Sequence, residues 1–328
     1  MSFYFFDHSA LAFFSLLFAL TLDQVFGEPP RFHPLVGFGN IAHFLEKHLN
    51  PATSSEKGNH RYSYTKLIGL FAWVSVCAPI VSFLVVLFVF LADVDMEFIG
   101  STILLFLCIG RRSLIEHVVD VQQQLMVGDI QTARSKLAKI VSRDTSNMDE
   151  GQVTQSTIET CLENNADAII SPIFWFLLFG PCAAVLYRAS NTLDAMWGYK
   201  NNRFRDFGFA AAKIDDVLNW IPARLLAFTS AILGSFFSSI YSWRTQAPKC
   251  ESPNAGPVVA AGAGALQVTL GGGAYYNGKY KEKPVLGIGE TPKHEDISRT
   301  VRHINHTLLV WVVCLCVMAL LLPHIASS

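Results

Sequence analysis

Three carboxylates, Glu159, Glu163 and Asp167, follow one another at four-residue intervals in RDTSNMDEGQVTQSTIETCLENNADAIISPIFWF (143–176). On a helix this spacing puts all three on one face. Like charges so placed repel by a few tenths of a kcal/mol per pair. The cost rises where the chain turns apolar, and here the apolar run begins at Ala168, because an unpaired carboxylate is expensive to desolvate. A divalent cation, a cationic substrate or arginines would offset it. Carboxylates in such a row are candidates to hold a divalent cation. A solvated polar face explains the same spacing equally well, and spacing alone does not choose. Asn147 and Glu150 are the capping pair expected at the start of this helix.

Three more polar clusters abut apolar segments. NTLDAMWGYKNNRFRDFG (191–208) mixes Asn191, Asp194, Lys200, Arg203 and Arg205 with Trp197, Tyr199 and Phe204. KIDDVLNWIPARLL (213–226) holds Asp215 and Asp216 near Asn219, with Arg224 where the next apolar run begins. SPNAG (252–256) has the composition of a turn. Ion pairs or caps would explain any one of these. Four together mark functional candidates, because ionisable groups at a membrane boundary are costly.

The elements that position these residues are those of a membrane protein. Of 328 residues, 51% are hydrophobic and 16% charged, against about 25% charged in soluble domains. The net charge of −1 makes nucleic acid an unsuited partner. Seven scattered cysteines form no CxxC or Cys/His cluster, and their odd number argues against a disulfide framework. The N-terminus has no basic residue before its apolar run, so it reads as a retained helix rather than a cleaved signal. A spanning helix needs about 20 apolar residues. Segments of about 3–26, 67–91, 98–120, 168–189, 222–243 and 307–323 are predicted to lie in the membrane. Gly180-Pro181 interrupts 168–189, which is expected to be a broken or re-entrant segment buried in protein. The expectation is therefore an all-α polytopic bundle, one integral membrane domain over 1–328, with polar helices and loops at 143–167, 190–224 and 250–290.

Basic residues set the orientation. The loop 92–97 has none and is expected outside; 23–66, with Arg31, Lys47, Lys57, Arg61 and Lys66, is expected inside, as is 111–165. The N-terminus is then outside and the polar site cytoplasmic, in a multi-pass membrane protein. The side of 190–221 depends on whether 168–189 crosses. There is no P-loop, and GAGALQ lacks the setting of a dinucleotide fingerprint.

Six linked motifs carry a family resemblance: LDQVFGEPPRFHPLVGFGNIAHFLE, SRDTSNMDE with ETCLENNADAIISPIFW, NTLDAMWGYKN, FGFAAAKIDDVLNWIPARL, SPNAG and GALQVTLGGGAYY. Over roughly 20–325 the chain resembles the adenosylcobinamide-phosphate synthase family of cobalamin biosynthesis. It departs from the family pattern at Ser142, where glycine is common, and in LENNADA, where ENTSDG is commoner; neither change removes a charged group. The resemblance implies ATP-dependent amide formation between a corrin-ring carboxylate of adenosylcobyric acid and aminopropanol or its phosphate, with Mg²⁺. The residues expected to act are then the carboxylates Glu159, Glu163, Asp167, Asp194 and Asp215. Glu163, Asp167 and Asp216 are the expected metal ligands. Arg143, Asp144, Thr145, Asn164, Asn191, Tyr199, Lys200, Arg203, Asn219, Arg224, Ser252 and Asn254 are expected to bind substrate or phosphate. Partner enzymes of the pathway or further copies of the chain are compatible with this reading. Two other readings stand beside it: a transporter, since polar groups on broken helices also line substrate paths, and a membrane sensor of the same superfamily.

Overall fold

A computed structural model describes residues 8–28, 34–54, 64–276 and 279–326. Residues 3–7 of the first expected membrane segment, and Arg31, Lys57 and Arg61, lie outside the described residues. In chain order the elements begin with α1 (Ser9–Phe26), α2 (Pro34–Leu49), α3 (Pro51–Ser54), α4 (Thr65–Asp93) and α5 (Glu97–Cys108). Then come α6 (Arg111–Met126), α7 (Ile130–Leu137) and α8 (Glu150–Asn165). A π-helical turn, Ala166–Ile170, leads into α9 (Ser171–Phe179), α10 (Pro181–Trp197) and α11 (Phe209–Leu218). The chain continues through α12 (Trp220–Leu233), α13 (Phe236–Thr245) and α14 (Ala255–Leu266). A two-stranded hairpin, β1 (Ala274–Tyr276) and β2 (Lys279–Lys281), pairs Tyr275 with Tyr280 before α15 (His294–Ala326). The fold is all-α apart from this hairpin.

Among the described residues four helices are long and apolar enough to cross a membrane: Ser9–Phe26, Thr65–Asp93, Glu97–Met126 and His294–Leu321. The third is interrupted at Ile109-Gly110, between α5 and α6. Two other expected segments are divided into pieces too short to span. Segment 168–189 breaks as expected: α9 stops at Phe179, Gly180 takes φ +80°, and Pro181 opens α10. Proline suits that first position, where its missing N–H would have no helical partner. Segment 222–243, expected as one helix, is instead α12 and α13, separated by Gly234 and Ser235. A Cβ at Gly234 would lie 2.6 Å from the Cβ of Ala265, so close packing on α14 fixes the break there. The cap of α8 also differs from expectation. Asp149, not Asn147, accepts from the Gln152 N–H at 2.8 Å, and the Gln152 side chain accepts from the Asp149 N–H at 3.0 Å.

The chain forms two compact units. The first comprises residues 1–109, 171–218 and 321–328. Its core gathers Trp197 and Phe207, edge to face at 5.1 Å, with Phe38, Ala42, Ala72, Val76, Ala189 and Leu193. α4 runs against bare backbone here, for a Cβ at Gly69 would meet the Phe207 carbonyl oxygen at 1.8 Å.

The second unit comprises residues 110–170 and 219–320. At its centre α14 is buried from Gly256 to Leu266, almost entirely through glycine, alanine and valine. Small side chains let helices approach until side chain meets backbone: Ser239 Oγ donates to the Ala261 carbonyl at 2.9 Å. α15 is tied to its neighbours by polar contacts. Asn165 Nδ2 donates to Thr307 Oγ1 at 3.2 Å, Trp311 Nε1 to Thr229 Oγ1 at 3.2 Å, and Arg111 Nη2 to Asn305 Oδ1 at 2.7 Å.

Candidate functional site

The second unit contains the densest set of expected residues. α8 begins at a capping box and carries no glycine or proline between Gln152 and Asn165, so it delivers Glu159 and Glu163 one turn apart as the spacing requires. Their surroundings differ sharply. Glu159 is buried. One of its oxygens accepts from Arg143 Nη2 at 2.8 Å; the other accepts from the Gly271 N–H at 2.9 Å. Arg143 Nη1 in turn donates to Ser156 Oγ at 3.1 Å. Gln155, one turn before Glu159, donates its side-chain amide to the Gly271 carbonyl. One helix therefore grips both sides of the Gly271 residue, whose φ of +88° favours glycine.

Glu163 is exposed to solvent, with protein packed around it. Burial pushes its pKa above the ordinary carboxyl value. The charges of Lys283 and Arg143 pull it down, and that of Glu159 pushes it up. The thiol of half-buried Cys250 feels Lys283, Glu159 and Glu163, and burial raises its pKa as well. Arg143, Glu159, Glu163, Cys250 and Lys283 thus share one neighbourhood: two cations and two acids, with Glu163 the accessible carboxyl. Asp167 follows at the π-helical turn, half-buried.

The other expected residues of this unit have local bonds. Asp144 is exposed and accepts from the Ser146 N–H at 2.9 Å and hydroxyl at 2.6 Å, which lower its pKa. Thr145 is buried, its hydroxyl donating to the Arg134 carbonyl at 3.0 Å. Asn164 Nδ2 donates to the Thr160 carbonyl of its own helix. Asn219 is buried at the start of α12. Arg224 lies 4.2 Å over the Trp220 ring and donates to Asn254 Oδ1 at 3.1 Å and the Pro253 carbonyl at 3.2 Å. Ser252 Oγ accepts from the Asn254 and Ala255 N–H groups and so closes the first turn of α14.

The first unit holds the remainder. Asp215 is buried and accepts from Asn191 Nδ2 at 3.2 Å. Asp194 is half-buried; a Cβ at Gly198 would meet its Oδ1 at 2.0 Å, so that glycine leaves it room. Arg203 grips buried Glu46 in a two-pronged pair, Nε to Oε1 at 2.9 Å and Nη2 to Oε2 at 2.6 Å, and Asn50 joins both. Asp216 pairs with Lys213 at 2.9 Å. Tyr199 and Lys200 are exposed. Among the described residues no three His, Cys, Asp or Glu side chains converge into a ready metal cage.

Sequence reasoning passed over Glu46, Gln155, Arg188, Cys250, Gly271 and Lys283. Two of them lay in the six linked motifs without being singled out: Glu46 ends the first, and Gly271 is the first of three consecutive glycines in the last.

The family model described as "CobD/Cbib protein" matches residues 16–304. A protein of Chromobacterium violaceum named "Cobalamin biosynthesis protein CobD" is 49% identical over 293 residues, covering 89% of this chain and 92% of its own. One of the same name from Stutzerimonas stutzeri is 47% identical over 300 residues, covering 91% and 93%. A third, from Clostridium perfringens, is 37% identical over 293 residues, covering 86% and 89%. No solved structure matches. With the matched region running through both units and every motif cluster described above, the chain belongs to the CobD/Cbib family of cobalamin biosynthesis.

Proposed function

We propose that this protein is an ATP-dependent amide synthase that joins a corrin-ring carboxylate of adenosylcobyric acid to the amine of aminopropanol or its phosphate. The observation that carries the reading is Glu163: an accessible carboxyl, raised in pKa by burial, one turn from a buried Glu159–Arg143 pair and within reach of the Lys283 charge. Amide formation from a carboxylate first needs a leaving group. The corrin carboxylate oxygen attacks the terminal phosphorus of ATP and ADP departs. The amine nitrogen then attacks the acyl carbon, phosphate departs, and the proton lost from nitrogen goes to Glu163. A carboxyl of raised pKa suits that task, because a general base works best near the operating pH. Lys283 and Arg143 supply positive charge for phosphate oxygens; Arg143, held by Glu159 and Ser156, is fixed in advance of the reaction. Mg²⁺ takes one or two protein carboxylates beside phosphate oxygens and waters, and Asp167 at the π-helical turn is assigned to it. When bound, the ion neutralises charge on the transferring phosphate. π-helical turns recur at functional sites.

Glu159 takes a different part from the one its residue type suggests. With one oxygen on Arg143 and the other on the Gly271 N–H, it is a positioning residue. We assign this chemistry to the cytoplasmic face of the inner membrane, where ATP is available and where the basic segment 111–165 is expected.

The test is direct. Detergent-purified protein is incubated with adenosylcobyric acid, MgATP and either aminopropanol phosphate or aminopropanol. The expected result is the corrinoid amide by mass spectrometry, with equimolar ADP. Absence of the amide with both amines would overturn the reading.

A further inference from the structure

Arg188 lies in α10, seven residues after Pro181, and the function proposed above gives it no part. It is half-buried, and its Nε–H is shut from water with no hydrogen-bond acceptor. Its contact with a neighbour is a long one, Nη1 to Asn191 Oδ1 at 3.4 Å. The helix packs on α4 and α5, two of the long apolar helices. The Arg188 charge reaches buried Cys108 at the end of α5.

Such a side chain is costly. Guanidinium presents five donors, stays charged, and loses most of its hydration in apolar packing. A buried donor left unsatisfied costs about 1–3 kcal/mol, more when charged. Asp215 balances some of the charge, but through Asn191, whose Oδ1 faces Arg188 and whose Nδ2 donates to Asp215 at 3.2 Å. That relay orients the amide and leaves the buried Nε–H in need of an acceptor. The contrast with Arg203 is plain: its two prongs are filled by both oxygens of Glu46.

We infer that Arg188, steadied by Asn191, is an oxyanion-binding site that takes a phosphate or a carboxylate in the bidentate fashion of arginine. The site is physical and does not depend on the reaction proposed above, although the substrates of that reaction carry both groups.

Binding of inorganic phosphate and of acetate to the detergent-purified chain is measured by thermal shift, in wild type, Arg188→Gln and Arg188→Lys. One anion or both should stabilise wild type. The effect should vanish in R188Q and weaken in R188K, which keeps charge but not the fork. On wild type alone, phenylglyoxal should modify Arg188, read by peptide mass spectrometry, and the bound anion should protect it; this arm stands even if R188Q does not fold. If amide synthesis is found, KM should rise about tenfold in R188Q for one substrate. A rise for aminopropanol phosphate but not aminopropanol names the amine's phosphate, a rise for ATP names the nucleotide, and a rise for adenosylcobyric acid names a corrin carboxylate. Anion stabilisation equal in wild type and R188Q, or modification of Arg188 that no anion slows, overturns the inference. Failure of amide synthesis with intact anion binding would sink the proposed reaction and leave this site standing.

Discussion

Two buried acids, each held by an arginine, sit in the two units, and they illustrate what separates a scaffold from a site. Glu46 in the first unit is 2% exposed and its partner Arg203 47% exposed; Glu159 in the second is 8% exposed and its partner Arg143 11%. The Glu46 pair ends on Asn50 and the rim of α2. Beyond the Glu159 pair lie the accessible carboxyl of Glu163 and the charges of Lys283 and Cys250's neighbourhood. A buried acid with an arginine is therefore not a site in itself. What marks the second unit is a further titratable group, the exposed Glu163, one turn from the pair and within reach of its charges.

The largest effect expected from this contrast is on stability. Glu159→Ala leaves Arg143 uncompensated in a buried setting and should cost about 3–5 kcal/mol. Glu46→Ala leaves Arg203 free to turn to water and should cost about 1–2 kcal/mol. Chemical unfolding in detergent measures both, and equal losses would erase the distinction. Next in size is turnover. Glu163→Gln nearly keeps shape and should lose at least about tenfold in rate, roughly 1.4 kcal/mol of barrier, while Glu46→Gln should keep wild-type turnover among molecules that fold. Steady-state rates of amide synthesis decide it.

A smaller effect is in the pH dependence of stability. The folded Glu163 pKa lies above the ordinary carboxyl value of 4.5. At acid pH both folded and unfolded chains carry the proton. As pH climbs from that value toward the raised one, the unfolded chain loses it first, so the folded state loses relative stability. Wild-type melting temperature should therefore fall across that window relative to Glu163→Gln, in paired melts at a series of pH values. Parallel curves would place Glu163 in ordinary water. Smallest of all is Asp144→Asn, at an exposed turn bonded to Ser146. It should stay within about 0.5 kcal/mol of wild-type stability and about twofold of its rate. A tenfold loss there would return Asp144 to the substrate-binding role that its Arg-Asp-Thr motif suggests.

Local rules in the sequence reached the break at Gly180-Pro181, because a proline's missing donor acts on its own turn. They reached the shared face of Glu159 and Glu163 for the same reason: both lie on one uninterrupted helix. They misplaced the cap of α8 by two residues, since Asn147 and Asp149 offer the same kind of oxygen and only backbone geometry selects Asp149. The division of 222–243 was hidden because Gly234 breaks the helix through contact with Ala265, more than thirty residues on. Neither Lys283 nor Glu46 has a local spacing that names its partner. Their partners lie far along the chain, and Glu46 reads as one polar residue in a mixed amphipathic helix. Arg188 was concealed by its setting, a single cation near the end of an apolar run.

Gly262 extends the definition of the site to an atom that is missing. It is buried in α14, and a Cβ there would stand 2.7 Å from Cδ2 of Leu162, a buried side chain one residue before Glu163. The two glycine hydrogens are in this sense part of the address of Glu163, written about a hundred residues further along the chain. A methyl at 262 would change no charge, donor or acceptor, yet it would press on the helix that carries Glu163. Divergence at this position is thus a statement about where Glu163 sits, made by a residue with no chemistry of its own.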